Sequence, residues 1–363
     1  MGRPGRSGLP NTKVKVVIMG RYFIRRVIGF IPVLFTVSLF TFVLVRAIPG
    51  GPFDNVGDKA LPPQVVANIE AKYHLDWPTH MQFLSYLLGD DIVGAVFGGV
   101  YAETAGDSRG LIRGDLGPSL RYRNQSINEI VAVSFPISIQ LGILALIIGL
   151  IIGLPMGIIA ALKQNTWMDY SATFIAVLGV SIPGMVIGPI LIWLVAVTAG
   201  WLPAATWGAK PPFILGILPS NLDWNFWSHA IMPSFALGTG MSGGISRLTR
   251  ASLLQVVRED YIRTARAKGL RERVVIVTHA LKNSLIPVVT ILGPMFAAVV
   301  TGTFIIEQIF GIPGMGKHFV TSIGNRDYPL IMGVTLIYTV LLVIANLFVD
   351  ITYAWLDPRI RYD

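Results

Sequence analysis

The chain has 363 residues, of which 53% are hydrophobic and only 13% charged. An ordinary soluble domain carries about 25% charged residues, so this chain lacks the charge to coat a water-facing surface of its size. A mean hydropathy of +0.63, a net charge of +9 and no cysteine exclude a disordered chain, a typical cytosolic enzyme, a disulfide-stapled module and any thiolate site.

A bilayer core of about 30 Å takes roughly 20 apolar helical residues, so stretches free of Lys, Arg, Asp and Glu mark candidate spans. In chain order they are Val27–Val45, Ile130–Leu162, Tyr170–Ala209 (its span ending near Thr198), Trp224–Ser246, Asn283–Ile306 and Tyr328–Val349. The pattern predicts an all-α polytopic membrane protein with six transmembrane helices, or five if the Gly-rich fourth stretch is re-entrant. Its divisions are a segment 1–26, a first helix 27–47, an external region 48–129, a five-helix core 130–356 containing a basic loop 247–282, and a tail 357–363. The first apolar run is too long for a signal-peptide core, and Val45-Arg46-Ala47 is a poor cleavage site, so the first helix is read as retained.

Orientation follows from Lys and Arg in the short connections. With the N-terminus inside, the inside segments hold 19 of the 29 basic residues, nine of them between Arg247 and Lys282. Both termini are therefore expected in the cytoplasm, with the protein in the cytoplasmic membrane.

The region from Pro49 to Asn128 is too long for a simple loop. Val65, Ile69 and Tyr73, followed by Trp77 and Phe83, are spaced like one face of a helix, whereas Asp90–Gly110 is Gly-rich and reads as a flexible insertion. A cover over the outer mouth that contacts a partner and a solvated cap without one are both compatible with this region. Trp201, Trp207, Trp224 and Trp227 lie among prolines on the second external segment. An interfacial aromatic belt explains them better than a ligand-stacking site.

The segment Arg247–Lys282 reads as helical throughout. Leu253, Val256 and Val257 form one apolar stripe, and Val274, Val277 and Leu281 another. Between them Tyr261, Ala265 and Gly269 stand at i, i+4 and i+8, on one side of a helix that continues so far. Anionic lipid would attract such a basic helix at about 1 kcal/mol per charge. It would gain nothing from a small-residue centre, whereas a docked protein surface would.

Glu259–Leu270 (E-D-Y-I-R-T-A-R-A-K-G-L) and His279–Pro287 (H-A-L-K-N-S-L-I-P) resemble the cytoplasmic loop of ABC-importer permeases of the dipeptide, oligopeptide and nickel family. The resemblance runs nearly end to end, through Arg21–Arg26, Arg46–Pro52, Arg113–Arg123, Gly153–Gly157 (G-L-P-M-G), Ser181–Gly184 (S-I-P-G), Phe310–Gly316 (F-G-I-P-G-M-G), Arg326–Leu330 and Leu356–Arg361. It implies a type I ABC importer permease fold and a second permease subunit, the pair being heterodimeric. It also implies two cytoplasmic ATPase subunits that bind ATP and Mg, and an external solute-binding protein. By the same resemblance the loop is the coupling helix, with Asp260, Tyr261, Arg263, Ala265, Arg266, Ala267, Lys268, Gly269 and Arg273 as the ATPase-coupling residues.

Two features depart from the general permease loop. Arg263-Thr264-Ala265 stands where Glu-Ala-Ala is usual, and Leu281-Lys282 lies about where Leu-Pro is expected; both suit the peptide and nickel branch better than the sugar branch. Tyr101–Ile112 also extends beyond the family's usual external loop. Peptide is favoured over nickel, because no His or carboxylate cluster lines a span.

Gly311–His318 almost spells a phosphate loop, but His318 replaces the required hydroxyl and no α/β context surrounds it. Gly238–Gly243 spells G-x-G-x-x-G inside a span, where it lets helices approach closely. No catalytic, cofactor or metal residue, and no nucleic-acid partner, is expected. A secondary transporter driven by an ion gradient is the alternative function. It calls for ionisable groups in mid-membrane, and Asp350 at the edge of the sixth run is the acid nearest to one. An intramembrane enzyme would need a nucleophile and base within the spans, for which no candidate pair exists.

Overall fold

The computed structural model describes residues 12–48, 64, 70–71, 73–103, 108–122 and 125–356. Among them every regular element is a helix; the longer ones are labelled here in chain order. α1 (Thr12–Ala47), α2 (Thr79–Leu88) and α3 (Asp90–Phe97) precede the core. α4 (Ile127–Leu162), α5 (Trp167–Ser181), α6 (Gly184–Thr198) and α7 (Trp224–Val256) form its first half. α8 (Asp260–Ala267), α9 (Glu272–Ser284), α10 (Ile286–Gly302), α11 (Phe304–Ile309), α12 (Met315–Asn325) and α13 (Tyr328–Leu356) follow. The expected helical residues Val65 and Ile69, the tail 357–363, and parts of the motifs at Arg46–Pro52, Arg113–Arg123 and Leu356–Arg361 lie outside the described residues.

Helical stretches stand at all six expected spans. Those within α1, α4 and α13 are each long and apolar enough to cross a membrane alone. α4 starts at a capping box, in which Ser126 Oγ accepts from Glu129 N while a Glu129 carboxylate oxygen accepts from Ser126 N. This satisfies two of the otherwise unpaired donors at the helix start. At 36 residues, α4 is about 54 Å long, well beyond the hydrocarbon thickness. Its first half carries Asn128, Ser138 and Gln140, each of which bonds to a segment outside the helix. α1 meets the rest through Val45, which packs on Tyr328 and Ile331 of α13; most of its other apolar side chains from Ile24 onward are exposed.

α7 is the centre of the core, and α4 lies along it over most of its length. Glycines make this approach possible. A Cβ on Gly153 would lie 2.6 Å from the Ser242 carbonyl oxygen, and one on Gly157 would lie 2.5 Å from that of Ser246. Small residues at such a seam let backbones touch, which matters where lipid leaves no hydrophobic drive between helices. On the opposite side of α7, Gly243 meets the Ala176 carbonyl of α5. The glycines of Gly238–Gly243 therefore serve helix approach, as their spacing suggested.

Two of the expected spans are bent, and two other expectations need correction. The Gly-rich fourth stretch is one unbroken helix of 33 residues; the third is the bent one, with α5 and α6 meeting at 95°. Pro183 explains the break, since it cannot donate to the preceding turn and drives the residue before it out of helical geometry. Ile182 is accordingly extended, with φ −93° and ψ 112°. The fifth stretch bends by 46° between α9 and α10, where Pro287 lies in the first turn of α10.

One correction concerns Asp90–Gly110, which begins as the helix α3 and not as a flexible insertion. Val93 is fully buried, Asp90 accepts from the hydroxyl of Ser85 at one carboxylate oxygen, and His74 Nε2 stands 3.3 Å from the other. The other concerns Trp207. It is buried, and its ring N–H donates to Gln140 Oε1 at 2.9 Å. Trp201, Trp224 and Trp227 are exposed, as a belt requires.

Candidate functional site

The basic segment is three helical pieces, not one helix. α7 runs on through Arg247 and Arg250 to Val256, a turn follows, α8 spans Asp260–Ala267, and α9 starts at Glu272. Gly269 ends the middle piece. Its φ of +76° lies in the left-handed region, which costs a residue with a Cβ about 1–2 kcal/mol. Its N–H donates to the Arg266 carbonyl at 2.9 Å, closing the turn as a helix C-terminus commonly does. The helix thus stops before Gly269, and the expected line Tyr261, Ala265, Gly269 on one face does not form.

α8 sits on a floor made by this chain. Ile262 and Ala265 point down and are buried in a cluster with Ala161 at the end of α4, Leu253 of α7, and Val275, Ile276 and Ala280 of α9. Ala265 is small because its own chain packs against it; it is not open to a second protein. Gly269 is a glycine because of its backbone angle, and a Cβ there would meet nothing within 4 Å.

The opposite face of α8 is open. Tyr261 is half exposed, and Asn283 Nδ2 of α9 donates to its hydroxyl at 2.9 Å. Arg263, Arg266, Ala267, Lys268, Gly269 and Arg273 are exposed, as is Asp260. Arg266 forks onto Glu272 across the turn, with bonds of 3.2 and 2.8 Å. Arg263 approaches Asp260 at 3.3 Å, an exposed pair of little energetic weight. An open cavity of about 590 Å³ beside the start of α8 is lined by Gln255, Arg258, Glu259, Asp260 and Arg263 among others. The result is a short, rigidly seated helix offering an aromatic ring and cations outward. Its outward face can receive a protein surface.

Two buried acids escaped the sequence reading. Asp169, in the first turn of α5, is held by Arg250 near the end of α7 through bonds of 2.9 Å from Nε and 2.8 Å from Nη2. Their only sequence signal was one acid at the start of the third apolar stretch. Glu307 is an acid enclosed next to an apolar stretch, whereas the side chain of Asp350 lies outside the described residues. Glu307 follows the fifth run by one residue and is fully buried. Its carboxylate accepts from Ser138 Oγ, Thr303 Oγ1 and Lys317 N at 2.6, 2.7 and 3.1 Å.

This gives the near-miss phosphate loop a physical role. The turn Gly311–Lys317 wraps a carboxyl group, and that group is the chain's own Glu307. Gly314 lies against the carboxylate with no room for a side chain. At the other end of α12, Asp327 accepts from Leu120 N at 3.1 Å and from the hydroxyl of Ser119, joining the motifs at Arg113–Arg123 and Arg326–Leu330.

A bundle of bent and over-long apolar helices, with a short cation-bearing helix seated at one end, defines a polytopic membrane protein. Residues 153–362 match the family described as the binding-protein-dependent transport system inner membrane component, and residues 19–142 match its N-terminal region. The chain belongs to this family. It is 41% identical over 343 residues to the dipeptide transport system permease protein DppB of Bacillus subtilis (strain 168), covering 94% of this chain and 98% of that protein. It is 40% identical over 344 residues to the oligopeptide transport system permease protein OppB of Salmonella typhimurium, covering 95% of this chain and 100% of that protein. Among solved structures, the inward-facing MetNI methionine ABC transporter is similar over 61% of this chain and 93% of that one, at 14% identity and a TM-score of 0.47.

Proposed function

We propose that this chain is a membrane-spanning permease subunit of an ATP-driven importer that takes peptides across the cytoplasmic membrane. The observation that carries this reading is identity of about 40% with dipeptide and oligopeptide permeases over nearly the whole of both chains. Such relatedness favours peptide over nickel as cargo, and it sets aside a transporter driven by an ion gradient. Six crossings with both termini in the cytoplasm put the basic segment inside, as the distribution of Lys and Arg requires.

In this reading the nucleotide chemistry belongs to separate ATPase subunits, and an external binding protein delivers the peptide to this chain and a second permease. α8 is the coupling helix. Tyr261, Arg263, Arg266, Ala267 and Lys268 form its contact face, with Asp260 and Arg273 at the edges; Ala265 anchors the helix from beneath, and Gly269 turns the chain at its end. Closure of the ATPases displaces α8, and its apolar floor passes that movement to the ends of α4 and α7. A rigid element moved between two packed arrangements is a recognised way to carry such a change.

The test is reconstitution of the complex in proteoliposomes with its binding protein and labelled di-, tri- and tetra-alanine. Uptake that requires ATP and all subunits is expected. Uptake by the permeases alone, driven by a proton or sodium gradient, would overturn the reading.

A further inference from the structure

The ion pair between Asp169 and Arg250 has more structure around it than a surface contact needs. The Asp169 side chain is 3% exposed, and that of Arg250 is 32% exposed. One carboxylate oxygen takes Arg250 Nε at 2.9 Å and the hydroxyl of Thr173 at 3.3 Å; the other takes Arg250 Nη2 at 2.8 Å and Asn165 N at 3.1 Å. Two parallel bonds from a planar guanidinium fix direction as well as distance. The carboxylate also stands in the first turn of α5, where a helix favours negative charge.

The position of the pair gives it meaning. Arg250 lies six residues before the end of α7 and ten before the start of α8. Its neighbour Thr249 is fully buried and faces Gly157 of α4. At this one level α7 is therefore held from two sides, by α4 through a glycine contact and by α5 through the ion pair. Beyond it, α8 rests on the apolar floor and on polar contacts to α9 from Tyr261 and Arg266. α5 runs from the pair to the 95° bend at Ile182–Pro183.

We propose that Asp169 and Arg250 are positioning residues for coupling: they clamp the stem of the docking helix to α5, so that movement of α8 is delivered to the bent third span and not dissipated in the last turns of α7. The inference rests on the transport reading above.

The complex is reconstituted with Asp169→Asn, Arg250→Gln, the double variant and the conservative Arg250→Lys. ATP hydrolysis and alanine-peptide uptake are counted per assembled complex. Each single variant is expected to keep its ATPase subunits and hydrolyse ATP within about twofold of the unmodified complex, while peptides moved per ATP fall at least about fivefold. The double variant is expected to fall no further than the worse single, because the two side chains act as one unit. Lysine at 250 keeps the charge but loses the fork, and recovers only part of the ratio. An unchanged ratio in the single variants, or uptake and hydrolysis falling in proportion, would overturn the clamp. Absence of ATP-dependent uptake by the unmodified complex would instead overturn the transport reading and the clamp that depends on it.

Discussion

Ser138 and Glu307, 169 residues apart, share a hydrogen bond of 2.6 Å inside the protein, with the serine donating. The same serine oxygen accepts from Met315 N at 2.9 Å, so one hydroxyl ties α4, α11 and the start of α12 together. The first turn of a helix leaves N–H groups unpaired, and here a buried acid and a buried hydroxyl take two of them. Replacing Glu307 with Ala would strand the Ser138 hydroxyl and the Lys317 N–H, whereas the Thr303 hydroxyl keeps the Val300 carbonyl at 3.1 Å. Unpaired buried donors cost about 1–3 kcal/mol each before relaxation. Glu307→Ala is expected to lower the thermal midpoint of the detergent-solubilised protein by on the order of 5 °C. Glu307→Gln falls between, since its amide can accept from Ser138 but faces the Lys317 N–H with a donor. Unchanged midpoints for both variants would remove Glu307 from this role.

The seam between α4 and α7 makes a second prediction. Gly157→Leu forces a side chain into the backbone of Ser246, whereas a Cβ on Gly29 of α1 would meet nothing within 4 Å. Overpacking of this kind costs about 1–3 kcal/mol, while Gly29→Ala changes stability by about 0.5 kcal/mol or less. Thermal unfolding of the two variants side by side checks the contrast.

A third prediction separates backbone from bulk at Gly269. Its φ is positive and the space around it is open, so the cost of substitution is set by conformation. Asparagine tolerates the left-handed region and valine does not. Gly269→Asn is expected to retain most transport, and Gly269→Val to lose at least about tenfold with normal membrane insertion. Equal losses from both would indicate that an outside surface closes on this position.

Helix positions were legible in the sequence because hydropathy and charge report which residues face lipid and where chains re-enter water. Bends were less so. Ser181-Ile-Pro-Gly184 contained the break in the third span, but a window of apolar residues registers length and not direction. Periodicity also failed at Gly269: i, i+4, i+8 spacing holds only while φ stays helical, and a glycine with nothing beside it gives no sign that it has turned left-handed. Asp169 and Arg250 are 81 positions apart, so their pairing depends on how α5 folds back on α7, which no local pattern encodes. Glu307 looked like an ordinary acid at a span end until the turn that encloses it was in place.

The central claim is that the open face of α8 seats a motor protein. A photo-crosslinking residue placed at Lys268, which is exposed, tests it most directly in native membranes. Position 265 serves as the control, because its side chain is 7% exposed and turned into this chain's own core. The expected result is an adduct between position 268 and an ATPase subunit whose yield changes on adding ATP, with position 265 giving only adducts within this chain. Adducts from position 268 to phospholipid alone would contradict it.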